Sequence, residues 1–416
     1  MSEDAPRTST EVVEKVDDSA GLKASTRSTL VGAMFLMATS AIGPGFITQT
    51  TEFTAQLGAA FAFAIVVSIL VDIAIQLNIW RVIGVSGRRA HELGNEVLPG
   101  LGWFMSLVVV LGGLVFNVGN VSGSGLGTDA MLGLDPKVGG AVSAALAIGI
   151  FLSRRAGVAM DRVVVALGVV MIALTTYAAF TSGPPAGEAL RNAVLPEEVS
   201  LLVITTLVGG TVGGYITFSG AHRLVDSGVV GPDRVGDITR GSVTGILVTG
   251  LMRVLLFLAV LGVVAGGASL ATDNPPAAAF QAAAGEVGLR IFGIVLWAAA
   301  ITSVIGASYT SVSFLTSATK VSDRRRSWLV VGFILVSTLG FLLAGEAPVT
   351  LLVFAGAFNG ILLPVGVGVM LWVAWRRRDL LHGYRYPAPL LAVGVAAWVL
   401  CLYLAYSAVG ALGELF

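Results

Sequence analysis

The feature that most restricts this chain is its succession of apolar runs of about 18 or more residues, each long enough to cross the hydrocarbon core of a bilayer. Of its 416 residues 55% are hydrophobic and only 12% charged, against about a quarter charged in soluble domains. Backbone groups in lipid must be satisfied within the structure, and runs of this length satisfy them as helices. The chain is therefore read as an all-α polytopic membrane protein. Roughly eleven spans are expected, near 29–57, 60–80, 101–121, 138–153, 163–181, 200–226, 241–266, 289–317, 327–344, 348–375 and 388–409.

Residues 1–28 are polar, mixed in charge and rich in Ser and Thr, which reads as a disordered cytoplasmic tail and not as a signal peptide. The lipid bilayer is the one partner this composition demands. A formal net charge of zero argues against nucleic acid. Cys401 is the single cysteine and leaves no internal disulfide, and the three histidines, His91, His222 and His382, form no paired metal motif. No nucleophile stands beside a base, so no enzyme activity and no catalytic residue are expected. With the N-terminus inside, the cytoplasmic loops collect Arg81, Arg88, Arg89, Arg154, Arg155, Arg162, Arg234, Arg240, Lys320, Arg324 to Arg326, Arg376 to Arg378 and Arg385. The outer loops hold little beyond Lys137, Arg191 and Arg290, so the positive-inside rule sets this orientation and the odd number of spans puts the C-terminus outside; a bacterial-type plasma membrane is the expected location.

Two spans contain interruptions. The first carries Gly43-Pro44-Gly45 inside "SAIGPGFITQTTEF", residues 40 to 53, and the sixth carries paired glycines inside "LVGGTVGGYITFSG", residues 207 to 220. Proline removes a backbone donor and glycine disfavours helical order, so both segments should break. Small residues also serve close helix packing, which is the plainer account of any one glycine. Two interrupted helices five spans apart, each opening a block of five, point instead to an inverted-repeat transporter with its substrate at the breaks.

The segments "GPGFITQTTEFTAQLGAAF", "QLNIWRVIGVSGRRAHEL", "GGTVGGYITFSG" and "LLVFAGAFNGILLPVG" resemble the first, second, sixth and tenth helices of the Nramp-related (natural resistance-associated macrophage protein) transporters. The resemblance covers most of residues 30 to 380. It implies the leucine-transporter-type fold of inverted five-helix repeats, here a first repeat over 29–181, a second over 200–375 and an added helix over 388–409, with helices 1 and 6 broken. It also implies a divalent-metal carrier coupled to protons. The family's metal-binding Asp falls on Gly43, its Asn on Phe46, its Met on Gly213 and its tenth-helix Gln on Gly356. Its third-helix acids fall on Asn117 and Asn120, and its sixth-helix His on Tyr215. Glycines offer a divalent ion only backbone carbonyls, and asparagine does not titrate in the working range.

What remains at the first break is the N-terminus of a half-helix, with free amides around Gly45, Phe46 and Ile47 and the hydroxyl of Thr48; such an end favours anions. Gly213 and Gly214 should add amides from the sixth helix, and removal of the larger side chains should enlarge the cavity. The expected substrate site is therefore Gly43, Gly45, Phe46, Thr48, Gly213, Gly214, Tyr215 and Gly356. Phe46 and Tyr215 are placed against an organic body, or serve as packing aromatics. The expected function is an ion-gradient-driven secondary transporter of a small carboxylate, zwitterion or inorganic anion. The alternative is a transporter of divalent Mn, Fe or Mg coupled to protons, and a non-transporting receptor is the third reading.

No Walker sequence is present, so an ion gradient, H+ or Na+, is the expected energy source, with no cofactor. Glu52 beyond the first break is the leading coupling carboxylate, with Asp72 behind it; Asp72 and Gln76 also suit an interhelical link. Asn117 and Asn120 serve either interhelical hydrogen bonding or substrate. His222 and Asp226, four apart at the inner end of the sixth helix with Arg223 between them, are candidates for an inner gate. Arg253 inside the seventh span must pair, snorkel or face water, and is a candidate cation for an anionic solute. Ser308, Thr310 and Ser311 permit a sodium site, while Asn359 and Pro364 should shape a kink. Solute identity and oligomeric state are not encoded in any motif found.

Overall fold

The computed structural model describes residues 41–226, 228–270, 273–316, 322–345 and 347–412. The tail expected over 1–28 and the opening of the first span lie outside these residues. The helices are α1 (Pro44–Leu57), α2 (Phe61–Ser86), α3 (Ala90–Val97), α4 (Leu101–Leu132), α5 (Pro136–Leu152), α6 (Arg154–Thr181), α7 (Ala186–Val194), α8 (Leu201–Val212), α9 (Ile216–Asp226), α10 (Val235–Ala265), α11 (Pro275–Leu315), α12 (Asp323–Leu343), α13 (Pro348–Arg376) and α14 (Ala388–Leu412).

Local chemistry sets the helix ends. Proline occupies the first turn of α1, α5, α11 and α13, where its missing N–H would have had no partner in any case. Asp135 caps α5 by accepting from the amides of Lys137 and Val138, and Ser200 caps α8 through the amide of Val203.

Among the described residues, eight helical stretches are long and apolar enough to cross a membrane, or nine if α6 and α7, bent by 105°, form one span. The expected count of eleven is not reproduced by this measure, for two physical reasons. A 3-10 turn at Gly58–Ala60 lets α1 and α2 run on as one stretch of 43 residues. Helix α5 has 17 residues and falls short of a full span. Helix α4 continues eleven residues past the expected end at 121 despite its Ser and Gly content, because those small residues let α11 approach closely. A Cβ on Gly127 would lie 2.6 Å from the backbone nitrogen of Trp297, and one on Gly293 equally close to that of Met131.

The broken helices lie innermost. Helix α1 packs against α4, α8, α10, α11 and α13. In the α8–α9 stretch 89% of the span window is buried, against 28% for α14, so the sixth span is enclosed while α14 faces outward.

Candidate functional site

At the first break Gly43 is extended, with φ −95° and ψ −174°, and Pro44 opens α1 directly after it. The position where a side chain would begin at Gly43 is not empty: a Cβ there would lie 3.0 Å from Ser303 Oγ of α11 and 3.6 Å from Asn120 Oδ1 of α4. Ser303 is 2% exposed and Asn120 4%, yet Ser303 Oγ and Asn120 Nδ2 have no hydrogen-bond partner. Two buried polar groups with unmet capacity face the start of a helix whose Gly45 and Phe46 amides precede the first intrahelical bond; the Ile47 amide, expected to be free, instead donates to Gly43 O at 3.3 Å. The Ser303 hydroxyl can donate or accept there, while Asn120 turns its amide oxygen, an acceptor, to the same point.

At the second break Gly213 is extended and ends α8, and Gly214 takes the left-handed conformation at φ 54°, which a side chain would strain. Tyr215 then stands edge-on to Phe116 with ring centroids 5.8 Å apart, and its hydroxyl is near Asn120. Asn359 of α13 reaches between α4 and this break: its Nδ2 donates to Gly112 O at 3.0 Å and Ala355 O at 2.8 Å. Its Oδ1 lies against Gly112 and Gly214, where any Cβ would collide with it, and accepts no hydrogen bond. Asn359 thus belongs to the site and does more than shape a helix.

Gly356 and Gly45 are brought together by Gln49, which the sequence reading passed over. Gln49 Nε2 donates to Leu352 O at 2.9 Å, and the carboxamide fills the space that a Cβ at Gly356 or Gly210 would need. The expectation that glycines enlarge the cavity is therefore corrected: Gln49 fills the space at Gly356 and Ser303 that at Gly43, with Asn359 close against Gly214. A Cβ on Gly213 would run into the backbone of Gly209. Thr48 is fully buried, and its Oγ1 is without a partner, as is Gln49 Oε1.

Phe46 is buried beneath Arg253 of α10, whose guanidinium carbon lies 4.2 Å from the ring centroid. Arg253 is 2% exposed and its Nε and Nη2 have no hydrogen-bond partner. The arrangement is a cation on an aromatic face, close to the N-terminus of α1. Asp72 of α2 is 1% exposed and within electrostatic reach of Arg253, and its Oδ1 is likewise unpartnered. Gln76 donates to Ser242 O at 3.0 Å and links α2 to α10.

The inner-gate candidates assemble with partners that the sequence did not name. Asp226 Oδ1 accepts from Arg89 Nη2 at 2.6 Å, and Arg89, 3% exposed, also donates to the carbonyls of Ser313 and Thr316 on α11. His222 Nε2 accepts the Ala90 amide at 3.3 Å while Nδ1 lies 3.2 Å from Ser313 Oγ. Because Ser313 Oγ donates to Thr310 O, it accepts from His222 Nδ1–H, which fixes a neutral tautomer. The ring packs on Phe314 at 4.8 Å. One cluster ties the start of α3, the end of α9 and the end of α11.

Glu52 is half-exposed and accepts from Gln56 Nε2 at 2.8 Å, apart from the breaks. Asn117 donates to Ser308 Oγ at 2.9 Å and Ser337 Oγ at 3.1 Å, stapling α4 to α11 and α12. Ser311 faces Gly113 with its hydroxyl unpartnered, and Thr310 contributes its carbonyl to Ser313. Among the described residues no three His, Cys, Asp or Glu side chains are grouped as a metal ion requires.

Fold and breaks together define a membrane transporter of leucine-transporter-like architecture. The family profile described as natural resistance-associated macrophage protein-like matches residues 34–410, and the chain belongs to that family. It is 50% identical over 382 residues to the Bacillus subtilis (strain 168) protein described as uncharacterized membrane protein YcsG, covering 92% of this chain and 94% of the relative. It is 48% identical over 361 residues to an uncharacterized membrane protein of Haemophilus influenzae, covering 87% and 90%. A solved structure of the Eremococcus coleocola manganese transporter, in complex with an aromatic bis-isothiourea substituted compound, superposes with a TM-score of 0.71 at 14% identity, over 98% of this chain and 89% of that one. The structure of MhsT in complex with L-phenylalanine superposes with a TM-score of 0.66 at 16% identity, over 91% and 98%. These neighbours share the fold.

Proposed function

We propose that this protein is an ion-gradient-driven secondary transporter of a small carboxylate, zwitterion or inorganic anion, held at the breaks of the first and sixth spans. The observation that carries the reading is the start of α1 at Gly43, where the Gly45 and Phe46 amides and the buried, unpartnered Ser303 Oγ can all donate, where the family's metal ligands would begin, and where Asn120 adds its amide oxygen as an acceptor. A helix N-terminus lined by unsatisfied donors attracts negative charge, and Arg253 on Phe46 adds a full positive charge nearby. In this reading 29–181 and 200–375 are the two repeats, the N-terminus is cytoplasmic and the C-terminus is outside.

The second reading is a proton-coupled carrier of a divalent metal. It is favoured by the manganese transporters among the fold neighbours, although 14% to 15% identity speaks to fold alone. Isothermal calorimetry on the purified protein separates the two. Titration with Mn2+ should be silent and titration with a panel of small carboxylates, amino acids and inorganic anions should release or absorb heat with one of them. Saturable Mn2+ binding with no anion response would overturn the proposal and restore the metal reading.

A further inference from the structure

Asp72 and Arg253 are two charged residues deep inside the protein, on α2 and α10, which pack against each other. They are within electrostatic reach but close no salt bridge; one carboxylate oxygen and two guanidinium nitrogens have no partner. An incomplete ion pair in a low-dielectric interior is costly, because each charge loses hydration without full replacement. Such a pair is stable in either of two complete states. In one, the carboxylate seats directly on the guanidinium. In the other, the carboxylate is neutralised by a proton and the guanidinium takes a different anion. In the structure Arg253 lies on the face of Phe46 at the first break.

Resting on the anionic reading of the site, we infer that Arg253 is the shared seat for which Asp72 and the solute carboxylate compete, so that solute binding obliges Asp72 to take up a proton. A hydronium ion of the aqueous phase loses one proton, leaving water, and that proton bonds to one oxygen of the Asp72 carboxylate; the solute anion then replaces Asp72 as the counter-charge of Arg253 through non-covalent contact alone. The site holds the same net charge before and after, and one proton accompanies one anion. Transport of a monoanion is therefore electroneutral, and that of a zwitterion carries one positive charge. Among the described residues, the groups interacting with Asp72 are the hydroxyl of Thr211 from α8, Arg253 from α10 and the Cys401 thiol from α14.

The test uses infrared difference spectroscopy on the full chain in liposomes. A protonated carboxyl gives a carbonyl band that should vanish in D72N. In R253M, without the guanidinium, that band should persist to higher pH by about 1 to 3 units. A band unmoved by R253M would overturn the inference, and so would its survival in D72N. In the second arm, acetate, L-lactate, L-alanine and chloride serve as probes, with calorimetric binding and proton uptake from a weak buffer recorded together. A probe carboxylate that binds should draw in about one proton per site in the native protein and none in D72N. Its binding should fall at least tenfold in R253M, while the more conservative R253K retains part of it. Binding without proton uptake in the native protein, or full binding in R253M, defeats the competition for Arg253 yet leaves the anionic reading standing. Mn2+ binding in place of all anions defeats the anionic reading and the inference with it.

Discussion

At the residue scale, the replacement of ligand side chains by glycine is not a simple deletion. Two of the vacated positions are occupied from another helix, since Ser303 approaches Gly43 and Gln49 lies against Gly356, while at Gly213 the backbone of Gly209 takes the space and Asn359 lies against the neighbouring Gly214. The carboxamide expected on the tenth helix is in effect supplied from the first. Two expectations follow from this exchange. Gly43→Asp should weaken anion binding at least tenfold, about 1.4 kcal/mol, by placing a negative charge among the donors, whereas Gly43→Ala asks only that the Ser303 hydroxyl turn and should cost less than threefold. Calorimetry of the two variants side by side checks the difference. Gly356→Ala should displace the Gln49 side chain and destabilise the protein by about 1–3 kcal/mol, read as a lowered Tm in detergent. Adding Gln49→Ala should recover part of that loss, because the two positions compete for one volume.

At the element scale, the C-terminal ends of α9 and α11 and the start of α3 are held by Arg89, Asp226, His222 and Ser313. Removing one member of a buried ion pair leaves the other uncompensated, and with Asp226 partly exposed the loss in Asp226→Ala should be about 2 kcal/mol. With Cys401 replaced by Ser, a cysteine at Thr310 should then react faster with a water-soluble maleimide in the Asp226→Ala background; an unchanged rate would show that this cluster does not close the inner end. The same elements show what a sequence can reveal. His222 and Asp226 were legible by their spacing on one helix face, and the breaks by Gly43-Pro44-Gly45 and Gly213-Gly214, since both are local signals. Arg89 was legible only as a topology charge and Gln49 only as a polar residue after a break. Their partners lie 137 and 303 residues away, and no local pattern encodes such pairings. Ser303 was missed beside Ser308, Thr310 and Ser311 because rotation about a buried helix depends on packing with α4, and a hydroxyl-rich helix has no polar face to single out.

At the scale of the whole molecule, the enclosed α1 and α8–α9 stretches stand inside a frame of longer helices, and the transporter's energy source should be visible in intact vesicles. Uptake should follow an inward proton gradient, collapse with a protonophore and be unchanged when Na+ is replaced by choline. Loss of uptake in choline would instead give Ser303 and Ser311 a role around a sodium ion. For orientation, cysteines introduced singly at Lys137 and Asp379 in a chain lacking Cys401 should behave oppositely. Both positions are exposed, but only the first should react with an impermeant reagent added outside cells.

The occupied space around the glycines also bears on how such proteins can change in descent. A single step that restores an acid at Gly43 places it against Ser303 among donors and gains no sulfur at Gly213, where the backbone of Gly209 leaves no room. A step that restores an amide at Gly356 collides with Gln49. Each such substitution alone should be a loss, and several must be made together before side-chain ligands could be gathered at the breaks. If the anionic reading holds, a route from this site to a cation site passes through variants that hold neither solute well.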